Sequence, residues 1–191
     1  LDENTMADME LYEGARFDSY GVGEKLITSS SSPVFGGVYK LVAVKEDDGT
    51  YSPRMKCSDS ASKAIIPGKL MAWRIYDEEG KGQADIISLD DEIIEEGKEI
   101  TVYDMNPDAL HHSRKITPLK AEKLLVPHLI NGELAMELPT IKEKKEFIKD
   151  QLENKVWESE LRPKMPHSHY VDLTEKVYEV REAMYKKLHG G

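Results

Sequence analysis

The sequence predicts a protein of the α/β class, with an α+β arrangement within these 191 residues. Three observations lead to this prediction. A glycine-rich turn lies between two helical patterns near the N-terminus, short β-type segments fill the middle, and apolar residues at helical spacing run through the last third. The predicted organisation therefore has three parts, residues 1–32, 33–105 and 106–191.

The first part reads as helix, short strand, glycine loop and helix. Asp2 is a suitable N-cap for a helix over residues 2–13, and Gly14 suits the position after its last turn. A short strand over residues 15–17 would end at Asp18 and lead through Gly21-Val22-Gly23 into a short helix over residues 24–27. This order is typical of one β/α step of a barrel. Glycine amides at a helix start suit an anion, although a lone G-x-G pattern also occurs in ordinary turns.

Residues 33–105 predict a β-rich segment. They hold short runs of β-forming residues separated by turn signals such as Asp48-Gly49 and Glu79-Gly80. The predicted pairing is an antiparallel sheet or a small barrel. The expected strands cover residues 38–44, 54–57, 71–76, 84–89 and 100–103.

Residues 106–191 predict three helices. Thr117-Pro118 supplies a cap and a first-turn proline for one helix, which Pro127 would kink or end. Thr140 and Glu143 form a capping box for a second helix, with Ile141, Ile148, Leu152 and Val156 along one face. A third helix begins near Thr174, and its methionines and tyrosines are expected to be core residues.

Composition excludes several classes of function. A net charge of −10 argues against a nucleic-acid partner, and no apolar run approaches the length of a membrane span. The single cysteine, Cys57, excludes an intrachain disulfide framework, fits a reducing compartment and is expected to be structural. The pairs His111-His112 and His167-x-His169 lack a nearby third ligand. We therefore expect these histidines to lie on the surface and to form no metal site.

Longer motifs point to a family. LDENT opens the chain, followed by DSYGVGEKLIT, GGVYKLVAV, SPRMKCS, a Lys-x-x-x-PGK segment, WRIYDEEGKGQAD and HYVDLTEKVYEVR. Their order and spacing resemble the C-terminal part of nicotinate phosphoribosyltransferases. Family members often have Thr where this chain has Glu24, and a carboxylate would repel a phosphate. A phosphate contact at this position could therefore come only from the backbone N–H.

The resemblance implies an activity and a setting. Enzymes of this family join nicotinate to phosphoribosyl pyrophosphate in NAD biosynthesis, with ATP hydrolysis, Mg²⁺ and a transient phosphohistidine, and they act as cytoplasmic homodimers. The phosphorylated His and the nicotinate-binding Arg lie upstream of the motifs matched here. The resemblance thus implies that this chain is the end of a phosphoribosyltransferase-type α/β barrel with a β-rich segment and C-terminal helices. Alone, such a fragment would be inactive and would bind no cofactor.

The resemblance also assigns binding residues, none of them catalytic. The loop of Gly21, Val22 and Gly23, with the N–H of Glu24, would hold the 5-phosphate of phosphoribosyl pyrophosphate. Lys40 would supply balancing positive charge, unless it is an ordinary edge-strand lysine. Further candidates are Asp18, which could orient the loop or accept a ribose hydroxyl, and Thr28. The alternative from another class is a noncatalytic, acidic interaction module.

Overall fold

The computed structural model describes residues 1–28, 33–34, 36–56, 65–105, 112–162 and 165–189. The chain divides into two compact units. The first unit comprises residues 1–39 and 158–168, and the second comprises residues 40–157 and 169–191. Cys57 and His111 lie outside the described residues.

The first unit is built from short helical pieces. Helix α1 (Glu3–Ala7) continues as a π-helical turn (Asp8–Tyr12), and helix α2 covers Glu24–Thr28. A 3₁₀ turn covers Glu158–Leu161. The predicted N-cap is confirmed, because Asp2 Oδ1 accepts from the N–H of Thr5 at 2.9 Å. Gly14 has φ +70°, which confirms the turn expected after the helix.

The strand predicted over residues 15–17 is wrong. These residues are irregular, and Asp18 lies in a bend. A strand needs a neighbour to satisfy its backbone groups, and the described residues of the first unit contain no strand. The expected β/α step of a barrel is therefore not formed in the described part of this chain.

The second unit is dominated by a six-stranded mixed sheet with the order β6-β5-β10-β4-β3-β7. All of its pairs are antiparallel except β10–β4, which is parallel. Three predicted strands are confirmed as β3, β4 and β5, and the Glu79-Gly80 turn joins the first two. The strands of this sheet are β3 (Leu70–Tyr76), β4 (Gly82–Leu89), β5 (Ile100–Asp104), β6 (Ser113–Ile116), β7 (Lys120–Lys123) and β10 (Val171–Thr174).

The sheet is strongly curled. Its two edge strands, β6 and β7, are joined by residues 117–119 alone. Such a link spans at most about 14 Å, whereas the edges of a flat six-stranded sheet would lie about 24 Å apart. The 90–99 loop also reaches the β7 edge, where Glu96 Oε1 accepts from the N–H of Ala121 at 3.1 Å. This contact occupies a donor that an exposed strand edge would offer to other chains.

A small hairpin forms where two longer strands were predicted. Strands β1 (Ala43–Lys45) and β2 (Tyr51–Pro53) pair antiparallel, and Gly49 in the turn has φ +88° as the Asp-Gly signal predicted. The strand expected over residues 38–44 is formed only at its end. The strand expected from residue 54 is wrong, because its pairing lies at β2 instead. The positions of these strands differ from the prediction because the turn sets the pairing register. The turn, and not the richest run of β-forming residues, decides which residues face each other.

The first of the three predicted C-terminal helices is wrong. Residues after Thr117-Pro118 form strand β7, followed by a two-residue hairpin of β8 (Leu129–Ile130) and β9 (Glu133–Leu134). Lysine, alanine and glutamate favour a helix locally, but pairing of β7 with β3 satisfies backbone groups along a whole edge. The described part of residues 106–191 therefore contains strands as well as helices, whereas the prediction was for helices.

The other two predicted helices are confirmed. Helix α4 (Glu175–His189) follows β10 directly, and its Val177 is fully buried. Tyr178 stacks on Tyr103 with ring centroids 4.0 Å apart, so this tyrosine belongs to the packing of the domain. The hydrophobic core consists of Trp73, Ile75, Ile86, Ile94, Val102 and Ile116.

Helix α3 (Ile141–Asp150) has the predicted capping box, with Thr140 and Glu143 bonded to each other in both directions. A π-helical turn (Gln151–Lys155) continues it, and Val156, predicted on the same apolar face, lies beyond the helix in extended backbone. No residue of α3 is buried, so its apolar stripe faces solvent in the described chain. The exposed apolar surface continues from the β8–β9 hairpin, and residues 125–152 are termed the apolar arm. Its exposed large side chains are Leu125, Val126, Leu129, Ile130, Leu134, Leu138, Ile141, Phe147, Ile148 and Leu152.

Candidate functional site

The glycine loop lies between α1 and α2 in the first unit, and it is open. Gly21 and Gly23 are exposed, Val22 is half-buried, and Glu24 is the exposed first residue of α2. Within the described part of the chain, the N–H groups of residues 21–23 make no backbone hydrogen bond. These donors are the groups that a bound anion would need.

The two glycines are not required by backbone conformation. Neither Gly21 nor Gly23 has a positive φ, and a Cβ at either position would meet nothing within 4 Å. A strained turn is therefore not the reason for glycine here. What a side chain would obstruct is the close approach of a ligand to the backbone.

Two polar contacts hold the residues that flank this loop. Tyr20 Oη donates to Glu10 Oε1 at 2.6 Å, and Lys25 Nζ lies 2.8 Å from Asp2 Oδ2. Phe17 packs edge-on against Tyr20 with ring centroids 5.5 Å apart. Sequence reasoning identified Asp2 as a helix cap but did not predict its contact with Lys25 or the contact between Tyr20 and Glu10. No local pattern shows which distant side chain a tyrosine or lysine will contact.

These contacts perturb the groups that make them. The hydrogen bond to Glu10 raises the pKa of Tyr20 to about 12. The Lys25 ammonium, together with the hydrogen bonds from Thr5, holds the pKa of Asp2 well below its usual range. The bond to Asp2 in turn raises the pKa of Lys25. Asp2 is therefore an anion and Lys25 a cation at neutral pH.

The structure brings only part of the predicted set together. Asp18 is exposed in the bend before the loop, and the Thr28 hydroxyl donates to the Glu24 carbonyl at 3.0 Å. Lys40 is an exposed residue of the second unit, so its charge balance with the loop stays a prediction. The bend before the loop and α2 carry two acidic residues, Asp18 and Glu24, and one basic residue, Lys25, so their net charge is negative and does not by itself attract an anion.

The second unit contains a separate group of charged side chains on its sheet. Arg74 donates to both oxygens of Asp85, at 2.8 and 2.9 Å, and His169 Nε2 lies 3.3 Å from Asp85 Oδ1. His169 is half-buried and not a surface histidine as expected, whereas His112 and His167 are exposed. Among the described residues, no group of three or more His, Cys, Asp or Glu side chains could hold a metal ion.

Comparisons with known proteins point to one family. A sequence model of the nicotinate phosphoribosyltransferase C-terminal domain matches residues 70–181. The nicotinate phosphoribosyltransferase of Bacillus subtilis is 31% identical over 98% of this chain, and that of Homo sapiens is 29% identical over 93%. In the crystal structure of human nicotinic acid phosphoribosyltransferase, the similarity has a TM-score of 0.64 at 27% identity and covers 78% of this chain.

The matched relatives are much longer than this chain. The match covers 39% of the B. subtilis protein, 31% of the human protein and 27% of the human crystal-structure chain. The family model itself begins in β3, so the glycine loop lies outside its range. No described helix is long and apolar enough to cross a membrane.

Proposed function

This chain belongs to the nicotinate phosphoribosyltransferase C-terminal domain family, and on that premise we propose that it is the C-terminal part of a nicotinate phosphoribosyltransferase. The complete enzyme joins nicotinate to phosphoribosyl pyrophosphate, forming nicotinate mononucleotide and pyrophosphate with coupled ATP hydrolysis. The observation that carries the proposal is the family match, which runs from β3 through the curled sheet into the first half of α4. The alternative, an acidic interaction module without chemistry, has no comparable support.

The glycine loop is the part of the proposed site that this chain supplies. The N–H groups of Gly21, Val22 and Gly23, with that of Glu24, bind the 5-phosphate of phosphoribosyl pyrophosphate. Open surroundings and unbonded backbone donors in the described loop support this role. Since the loop has no net positive charge of its own, the cation must come from elsewhere, and Lys40 is the proposed source.

Asp18 and Thr28 have smaller proposed roles. The exposed Asp18 carboxylate accepts a ribose hydroxyl, next to the loop that holds the phosphate. Thr28 is the weaker candidate, since its hydroxyl proton is already donated to the Glu24 carbonyl. The hydroxyl oxygen can still accept a hydrogen bond but has no second proton for a phosphate oxygen.

ATP and Mg²⁺ belong to the complete enzyme in this proposal. The described residues offer no cluster of metal-binding side chains, so no step through Mg²⁺ or ATP is assigned to them. The remaining parts of the proposal come from the family resemblance. In this proposal the complete enzyme is a cytoplasmic homodimer. Its catalytic His and its nicotinate site lie in family motifs that have no counterpart in this chain.

The proposal is tested in the complete enzyme that it requires, by substituting Gly23→Val. A branched side chain would block phosphate from the backbone donors, and each charge-assisted hydrogen bond is worth about 1.5–3 kcal/mol. Loss of two such bonds weakens phosphoribosyl pyrophosphate binding by at least about a hundredfold. The Kd is measured by calorimetry on variants that circular dichroism shows to be folded.

Gly36→Val is the matched control. Gly36 also has open surroundings and no positive φ, so the same side chain is added at equal structural cost. Cys57→Ser and His111→Ala are expected to leave the Kd unchanged as well. Equal affinity of Gly23→Val and the wild type would show that the loop is an ordinary turn and would remove the site assignment.

A further inference from the structure

The glycine loop is fastened to the first helical segment on both of its sides. Tyr20, directly before the loop, is bonded to Glu10, and Lys25, directly after Glu24, is paired with Asp2. These two contacts are termed the loop clamp. Both partners lie on one continuous stretch, since Asp2 is the N-cap of α1 and Glu10 lies in the π-helical turn that follows it.

Asp2 divides its two carboxylate oxygens between two tasks. Oδ1 accepts from the N–H of Thr5 at 2.9 Å and from its hydroxyl at 2.7 Å, which caps α1. Oδ2 faces Lys25 Nζ at 2.8 Å. The residue that starts the helix therefore also fixes the position of α2, twenty-three residues later in the chain.

Glu10 lies in the π-helical turn that continues α1. In this turn the N–H of Glu13 bonds to the carbonyl of Asp8 at 3.1 Å, one residue further back than in an α-helix. Within this segment Glu10 accepts the phenol proton of Tyr20, whose ring also packs against Phe17.

We propose that Asp2 and Glu10 are positioning residues for phosphate binding, because the clamp fixes both ends of the glycine loop while leaving its backbone donors open. This inference rests on the proposed function of the loop. A stretch with two glycines samples many conformations when its ends are free, and ordering it on binding would cost affinity. Since Asp2 neutralises Lys25, the clamp supplies order to the loop and no additional positive charge.

Two substitutions loosen the clamp with little change in shape. Asp2→Asn keeps an N-cap acceptor for Thr5 but removes the charge that pairs with Lys25. Glu10→Gln replaces the charged acceptor of the Tyr20 proton with a neutral one. Glu13→Gln is the matched control, since it makes the same charge change on an exposed residue of the same segment.

The first measurement is the heteronuclear {¹H}–¹⁵N Overhauser effect of residues 20–25 in this chain, which reports fast backbone motion. The double variant Asp2→Asn/Glu10→Gln is expected to lower these values to those of a flexible loop, while the control leaves them unchanged. The second measurement is the Kd of the complete enzyme for phosphoribosyl pyrophosphate, determined by calorimetry. The double variant is expected to raise this Kd by about threefold to tenfold, with an unchanged melting temperature.

The outcomes separate the clamp from the site. Unchanged Overhauser values in the double variant would overturn the positioning role, whatever the affinity. Loosened values with unchanged affinity would overturn it too, because loop order would then not serve binding. If the double variant loosens the loop but Gly23→Val leaves the Kd of the complete enzyme unchanged, the phosphate site itself is overturned, and the clamp remains only as the cause of loop order.

Discussion

The two units of this protein are held by different forces. In the sheet of the second unit, Ile75, Ile86, Val102 and Leu173 are fully buried, whereas no described residue of the first unit is buried. The first unit depends on caps, turns and exposed polar contacts, which contribute little to the free energy of unfolding. The buried core of the chain that the structure describes therefore lies in the sheet, and the candidate site lies in the unit whose described residues form no core.

The largest expected effect of this difference is on activity. Purified alone, the chain should form no detectable nicotinate mononucleotide, because it spans 27–39% of its matched relatives and the loop is only part of a site. A reaction that depends on transition-state contacts loses nearly all its rate when most of them are missing. The check is product formation from nicotinate, phosphoribosyl pyrophosphate and ATP. Measurable turnover would show that the described residues contain a complete site.

The next effect concerns the core. Ile75→Ala should lower the free energy of unfolding by about 2–5 kcal/mol, because it leaves a cavity in the centre of the sheet. Ile27→Ala in the first unit, where the side chain is 84% exposed, should change it by no more than about 0.5 kcal/mol. Denaturant unfolding followed by circular dichroism makes the comparison. Equal effects would mean that the first unit has a core after all.

The apolar arm is the exception within the second unit, since its large side chains are exposed. The chain alone should therefore bind a hydrophobic dye or self-associate. Ile148→Lys with Leu152→Lys should reduce both, while the helix is kept because lysine favours helices. Dye fluorescence and sedimentation velocity are the measurements, with Glu146→Lys as the control on the same helix. A monodisperse wild-type monomer without dye binding would show that the arm is covered.

The smallest effect is a titration in the first unit. Tyr20 should ionise near pH 12, and Glu10→Gln should bring its pKa back towards about 10. Because the pKa of Tyr20 is raised in the folded state, the contact stabilises the folded state fully below about pH 10. This stabilisation is lost as the pH rises through about 12. The ¹³C shift of the ring Cζ follows the titration, and Tyr20→Phe identifies the signal. A Tyr20 pKa that Glu10→Gln leaves unchanged would show that this contact is not made in solution.

Local sequence signals predicted the structure best where the residues themselves set the local backbone, by capping a helix end or by allowing a tight turn. The Asp2 cap, the Thr140–Glu143 capping box and the glycine turns at positions 49 and 80 all form as predicted. The same reasoning failed for β7, which has helix-forming residues, and for residues 15–17, which lack a neighbouring strand. The partner that decides β7 is β3, which is distant in the sequence, and residues 15–17 have no strand beside them among the described residues of the first unit.

The sequence by itself determined the helix caps at Asp2 and Thr140, the hairpin turns and the family, because these depend on residue type at short spacing or on ordered motifs. Tertiary structure alone decided that β10, near the end of the chain, lies between β4 and β5 at the centre of the sheet. It also decided that Asp2 and Glu10 hold the two sides of the glycine loop. Contacts of this kind are set by packing and hydrogen bonding between distant segments, for which a sequence carries no local pattern.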